Sequence, residues 1–260
     1  LLAARRQGKL SAHISTDLGL SEIEVEVGTE GIRLPDGEVL SWRQIEMISK
    51  SRNSCFSLGE GRLGKIQRFS AETNRLTSLL PTERAPALLI SGILMHRIKD
   101  IDPYRDTLSK VGAIAPIVGR VLDTSTGLGY TAIEAAKTAE EVVTIELDPA
   151  VLAVARCNPW SRPLFASPNI TQVIGDSTMA VAHFPEEAFA RIVHDPPTFD
   201  LAGDMYAGTF YRQLYRILRR GGRLFHYIGN LNSGSGRGVA RGAMRRLQDA
   251  GFRRVVRRPE

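Results

Sequence analysis

Apolar and acidic residues alternate in Ile23-Glu24-Val25-Glu26-Val27, the period of a half-buried strand. Gly31-Ile32-Arg33-Leu34, then Pro35-Asp36-Gly37, then Glu38-Val39-Leu40 read as strand, turn, strand. The stretch from Ser41 to Ile48 has the spacing of a short helix with Ser41 as its N-cap, and Ile66 to Phe69 has that of a further strand. Thr82 to Pro86 reads as a connector, and beyond it the pattern changes. Short apolar runs predict strands at 119–123, 142–146, 170–174, 190–194 and 223–228. Stretches of helical period predict helices at 104–112, 130–138, 149–156, 178–184, 208–219 and 238–250, with a late edge strand at 251–256. Helices alternating with apolar strands imply an α/β fold. The prediction is a doubly wound, Rossmann-like, mostly parallel sheet in residues 86–260, behind a small mixed or β-rich module in residues 1–85. That module shows no catalytic constellation, and its expected roles are docking, dimerisation or a lid.

Composition leaves this picture in place. The chain has 260 residues, 43% hydrophobic and 24% charged, as in an ordinary soluble globular protein. No apolar run is long enough for a bilayer, and Leu1-Leu2-Ala3-Ala4-Arg5-Arg6 lacks the apolar core of a secretory signal. Cys55 and Cys157 have no metal-ligand spacing, and His96, His194 and His226 do not suggest a metal site, so no metal is expected. The expected location is cytoplasmic, without membrane contact. Charge does alter the picture, because its distribution is lopsided. From Arg212 to Glu260 there are thirteen arginines and two acids, Asp249 and Glu260, a net +11 that leaves −5 on residues 1–211. A one-signed C-terminal third is the footprint of a polyanion partner, and nucleic acid, RNA in preference to DNA, is the expected one.

The candidate chemistry lies at the strand ends. Val121-Leu122-Asp123 runs into Thr124-Ser125-Thr126-Gly127-Leu128-Gly129 and then a helical pattern; the next strand ends in Glu146, with Asp148 just beyond. Gly127 and Gly129 allow a tight turn and close approach of a ligand. Glu146 falls about 20 residues past the turn, where a ribose-binding acid is expected. Ser125 replaces the first glycine of a dinucleotide fingerprint, and Asp123 would repel a pyrophosphate but suit a cationic ligand. The strand at 170–174 leads to Asp176-Ser177, and the strand at 190–194 leads to His194-Asp195-Pro196-Pro197-Thr198-Phe199. Each acid alone reads equally well as a ligand-binding group or as a helix N-cap or solvated loop acid. Together, four of them would ring one crevice at the carboxyl ends of a parallel sheet. The glycine-rich loop from Gly229 to Gly238 would lie near that face.

Over roughly residues 105–260 the sequence resembles class I S-adenosylmethionine-dependent methyltransferases, including the Arg219-Arg220-Gly221-Gly222 turn before a late strand. With His194-Asp195-Pro196-Pro197 and Leu224 to Gly229 it is similar in particular to predicted archaeal-type methyltransferases. The resemblance implies S-adenosyl-L-methionine as cofactor. Asp123 and the turn (Thr124, Ser125, Gly127, Gly129) would face its methionine part, Glu146 its ribose, and Asp176 with Ser177 its adenine; Asp148 joins this set. Asp195-Pro196-Pro197 resembles the loop of enzymes that methylate exocyclic amino groups, where a carboxylate and a proline carbonyl hold the two N–H bonds and an aromatic ring stacks on the base. Thr198 occupies the usual aromatic position here, and Phe199 follows it. The expected function is therefore N-methylation of a base in RNA, with rRNA cytosine favoured. The alternative is a small-molecule methyltransferase or a polyamine aminopropyltransferase, since polyamine synthases share the sheet; a non-catalytic binding module is a third reading. A polyamine substrate would call for more acids than the sequence evidently supplies.

Overall fold

The structure, a computed structural model, describes residues 1–229 and 234–258. Asn230 to Ser233 of the predicted glycine-rich loop lie outside the described residues. Contacts divide the chain into two compact units, residues 1–105 with 150–162, and residues 106–149 with 163–260.

The first unit begins with α1 (Leu2–Arg6) and an antiparallel sheet of β1 (Ser11–Ile14), β2 (Ile23–Val27), β3 (Gly31–Arg33) and β4 (Val39–Ser41), paired in that order. The alternation in β2 buries Val25, which packs with Ile32, Trp42 and Ile45 into a small core. Trp42 satisfies its buried ring N–H by donating to Gly28 O at 3.1 Å. Helix α2 (Trp42–Lys50) starts where the sequence predicts, in a reciprocal capping box. Gln44 N donates to Ser41 Oγ, and Ser41 N donates to Gln44 Oε1 at 2.9 Å. A hairpin of β5 (Phe56–Gly59) and β6 (Arg62–Lys65) follows. Then comes a second four-stranded sheet of β7 (Gln67–Ser70), β8 (Arg75–Leu80), β9 (Ala87–Ile90) and β10 (Ile93–Leu94), also antiparallel.

Helix α3 (Pro103–Gly112) begins in the first unit and from Asp106 belongs to the second, which continues into β11 (Arg120–Asp123), α4 (Tyr130–Ala136) and β12 (Glu141–Glu146). Next along the chain is α5 (Pro149–Arg156), which from Ala150 belongs to the first unit; the second unit resumes from Pro163 within α6 (Arg162–Ala166), followed by β13 (Ile170–Ile174), α7 (Ser177–Ala180), β14 (Phe189–His194), α8 (Phe199–Ala202), α9 (Gly208–Ile217), β15 (Leu218–His226) and α10 (Gly234–Asp249). The sheet order is β13-β12-β11-β14-β15 and every pairing is parallel. From β11 the chain builds outward through β12 to β13, then returns to place β14 on the other side of β11. That reversal opens a crevice beyond the carboxyl ends of β11 and β14, the site such sheets offer a ligand. This is a doubly wound, Rossmann-like parallel sheet. Its core joins Leu122, Val143, Ile145, Phe189 and Ile192 of the sheet to Phe210, Tyr211, Leu214 and Ile217 of α9 and to Ala243 and Leu247 of α10.

Three local predictions differ. The expected helix at 178–184 is one turn of α7 followed by a 3-10 turn, Val181–His183. Strand β15 begins at Leu218, and Arg219 to Gly222 bulge out of register between the Phe189 and Arg191 pairings. The expected edge strand at 251–256 is irregular chain; Gly251 and Arg254 adopt φ of 110° and 56°, which turn the backbone out of the extended state that pairing requires.

Candidate active site

The turn after β11 is built around the Asp123 carboxylate, which is buried. Oδ2 accepts from Thr131 Oγ1 at 2.8 Å and from Thr144 Oγ1 at 3.2 Å, and Oδ1 accepts from Ser125 N at 3.3 Å. Burial pushes Asp123 up to about 7, against these hydrogen bonds. Its side chain thus holds the turn to α4 and β12 from below. Thr126 is also buried and reaches Thr144 Oγ1 at 2.7 Å. Gly127 and Gly129 have φ of 54° and 77°, and a Cβ at Gly129 would stand 2.7 Å from a Leu164 methyl, so this turn needs glycine there for two reasons.

At the tip of β12, Glu146 closes the turn from above. Oε2 accepts from Gly127 N at 2.9 Å and Oε1 from Asp148 N at 3.1 Å. Burial, opposed by those two backbone donors, pushes Glu146 up to about 7. Asp148 is buried beside it. Asp176 is exposed and caps α7, accepting from Thr178 N and Thr178 Oγ1, both at 2.8 Å. Ser177 is buried and donates to Thr124 O at 2.7 Å, so it braces the turn. The structure therefore brings the turn, Glu146, Asp148 and Ser177 into one bonded assembly, with Asp176 facing solvent at the neighbouring strand end.

Beyond β14, Asp195 carries a partner that sequence reading missed. Lys110 of α3, itself buried, donates from Nζ to Asp195 Oδ2 at 2.6 Å and to Asp106 Oδ2 at 2.8 Å. Burial pulls Lys110 down, but the two carboxylates outweigh it and hold its proton more firmly than usual. Burial raises Asp195, against the pull of Lys110. The Asp195 side chain keeps 20% of its surface, so it is the accessible member of the group. The spacing of Asp106 and Lys110 on one helical face was visible in the sequence; their meeting with Asp195 was not.

The rest of the loop is aromatic. Pro196 is buried, and Pro197 O accepts from the Tyr206 hydroxyl at 2.9 Å, so this carbonyl is in use within the protein. Phe199 is half exposed and meets the Tyr206 ring edge-on at 5.5 Å. His194 is fully buried. Nε2–H donates to Met205 O at 3.0 Å and Nδ1 accepts from Thr124 Oγ1 at 2.8 Å, an arrangement for a neutral ring. Burial, then the neighbouring His226 4.2 Å away, hold His194 well below its usual value. His194 is thus a strut between the turn and the 203–206 segment. Among the described residues no group of His, Cys, Asp and Glu is placed to hold a metal ion, and no helix is long and apolar enough to cross a membrane.

No protein-family model matches the chain. A Methanocaldococcus jannaschii protein, described as "Uncharacterized protein MJ1233", is 40% identical over 227 residues, covering 86% of this chain and 77% of that one. The chain belongs to the same family as that protein. A second similarity, 28% identical over 141 residues, is to a polyamine aminopropyltransferase of Clostridium kluyveri, and it covers 52% of this chain and half of the relative. In fold, a spermidine synthase solved with the transition-state analogue AdoDATO superposes with a TM-score of 0.61 at 16% identity, over 93% of this chain and 71% of that one. Spermidine synthase from Thermotoga maritima gives 0.58 at 16% identity, over 93% and 70%. These similarities overturn the expected N-methylation of an RNA base, rRNA cytosine included. The relatives whose activity is named transfer aminopropyl groups, which was the alternative. S-adenosyl-L-methionine as cofactor falls with it, because the class I fold is shared by enzymes that use a different, related sulfonium.

Proposed function

We propose that this chain is an aminopropyltransferase, moving an aminopropyl group from decarboxylated S-adenosylmethionine to an amine. The observation that carries the reading is the charge at the end of β14. Two carboxylates, Asp106 and Asp195, share one ammonium, and Asp123 lies within electrostatic reach of Asp195. Such a cluster attracts a cationic amine and repels a phosphodiester. Asp106 is one of the further acids that the sequence reading missed. The donor suits the same charge. Without a carboxylate it needs no cation beside the turn, and Lys110 is already engaged by two aspartates. In this reading Glu146 takes the ribose hydroxyls and Asp176 the adenine amino group, while Asp123 holds the turn and does not touch the ligand.

The chemistry is a displacement at carbon. The neutral acceptor nitrogen attacks the methylene carbon attached to sulfur, and the C–N bond forms as the C–S bond breaks. The bonding pair stays on sulfur, and methylthioadenosine leaves as a neutral thioether. The new secondary ammonium passes its proton to Asp195, whose burial raises its proton affinity and which Lys110 holds in place. Phe199 and Tyr206 supply apolar walls for the methylene chain of the acceptor.

The test is to incubate the protein with decarboxylated S-adenosylmethionine and a panel of linear di-, tri- and tetra-amines, and to follow methylthioadenosine and the extended amine by mass spectrometry. Turnover with at least one amine is expected. Asp195→Asn should lose on the order of a hundredfold or more in rate with donor affinity retained. Failure to release methylthioadenosine with every amine, by a protein shown to be folded, would overturn the reading.

A further inference from the structure

The transfer reaction makes no use of the most uneven feature of the chain, its arginine-rich C-terminal third. The structure divides those arginines by role. Arg216 and Arg246 are structural. Arg216 donates to the carbonyls of Phe184 and Val181 at 2.8 and 3.0 Å, and Arg246 donates to Tyr206 O at 2.9 Å. The other eleven, Arg212, Arg219, Arg220, Arg223, Arg237, Arg241, Arg245, Arg253, Arg254, Arg257 and Arg258, are exposed, and of these Arg223 also donates to Ala115 O. On α10, Arg237, Arg241 and Arg245 recur every fourth residue and so form one stripe, about 6 Å apart along the axis. The opposite face of that helix, Ala240, Ala243 and Leu247, is buried. Asp249 is the acid of this region within the described residues.

A second feature sits among these charges. Tyr215 of α9 is 46% exposed although it is aromatic, one turn on from Arg212. The chain after α10 folds back onto it: Phe252 meets its ring edge-on at 5.3 Å, and a Cβ at Gly251 would come within 2.8 Å of the ring. The ring is thereby braced on one side and open on the other, with Arg253 and Arg254 following Phe252 directly.

We infer that the face made by α9, α10 and residues 251–258 binds single-stranded RNA, with the arginines on phosphates and Tyr215 stacked on an unpaired base. Exposed arginines that outnumber the acids of the same stretch supply the electrostatic attraction. A braced, open aromatic ring adds what a duplex cannot use, because paired bases offer no free face, whereas loops and ends of RNA do. A membrane surface fits less well: an interfacial helix needs its apolar side free, and that of α10 is buried in the core. The inference concerns docking and is independent of the aminopropyl reading.

The experiment measures binding of the full chain to a fluorescently labelled twenty-nucleotide RNA of A and U by anisotropy, over a series of salt concentrations. A DNA duplex of equal length and vesicles containing anionic lipid are run beside it. The single strand should bind about tenfold more tightly than the duplex at physiological salt, and more tightly than the vesicles. Tyr215→Leu should weaken the single strand about tenfold and leave the duplex unchanged. Arg241→Gln with Arg245→Gln, both exposed substitutions that leave the core intact, should weaken binding and flatten its salt dependence. No binding of RNA at low salt, equal binding of the duplex, preference for vesicles, or indifference to the arginine pair would each overturn the inference. So would a Tyr215→Leu protein, folded by circular dichroism, that binds RNA as well as before.

Discussion

Asp123 spends its carboxylate inside the protein, and that has a measurable consequence. Its value moves from the ordinary 3.8 to about 7 on burial, so folding favours the protonated form. The contribution of this group to stability is complete below about pH 3.8 and is lost as the pH rises through about 7. Asp123→Asn keeps an oxygen for Thr131 but cannot ionise. Its stability relative to the native protein should therefore climb between those two values and level off above them. Urea unfolding of both proteins across that range checks the sign, and a difference that stays constant with pH would contradict it. The residue type at each strand end could be read from the sequence, but the direction each side chain faces could not. Asp123 and Asp195 both follow apolar runs; one is sealed beneath a turn and the other reaches the crevice beside Lys110, 85 positions away in sequence.

Elements whose signals are local were the most legible. The Ser41 and Gln44 side chains cap α2 reciprocally, as the Ser-x-x-Gln spacing allows. Ser41→Ala should cost about 1 kcal/mol and lower the midpoint of thermal unfolding by about 2–4 °C, read by calorimetry. The strands β11 to β14 match their apolar runs for the same reason, since a period of two or a continuous apolar run needs no distant information. Residues 251–256 show the converse. Their Phe-x-x-Val-Val pattern is a strand pattern, yet Phe252 and Val255 pack against the core from irregular chain, because Gly251 and Arg254 take left-handed backbone angles. The β5–β6 hairpin and most of the second antiparallel sheet went unread. Strands such as β6 (Arg-Leu-Gly-Lys) and β8 (Arg-Leu-Thr-Ser-Leu-Leu) mix polar residues into their apolar positions, so neither a clean alternation nor a continuous apolar run stands out.

At the scale of the whole molecule, acid sensitivity should come from the histidine pair. His226 donates from Nδ1 to His194 O at 3.3 Å and accepts from the Tyr211 hydroxyl at 2.9 Å, while Arg246 adds a positive charge nearby. Burial pushes it down from 6.5 to about 3, so folding favours the neutral ring. The stability this gives is present above about pH 6.5 and is lost as the pH falls toward 3. His226→Gln should unfold over a shallower acid limb than the native protein, followed by circular dichroism against pH; an unchanged limb would remove His226 as the cause. The molecule also separates two kinds of charge. The strand-end acids serve a cationic amine in the proposed reaction, and the arginines of the proposed docking face lie on α9, α10 and residues 251–258 of the same unit. Taken as one signal, the arginines pointed to a nucleic-acid substrate; divided by the fold, they point to a docking face.

The sequence by itself determined the class of fold, the positions of the acids at the strand ends, the cap of α2 and the lopsided charge. All of these follow from residue type and short-range spacing. Only the tertiary structure decided the strand order that opens the crevice, the inward turn of Asp123, the joining of Asp106, Lys110 and Asp195, and the bracing of Tyr215 by Phe252. Each of those depends on groups far apart along the chain, and burial and electrostatics act on them only once the fold has brought them together.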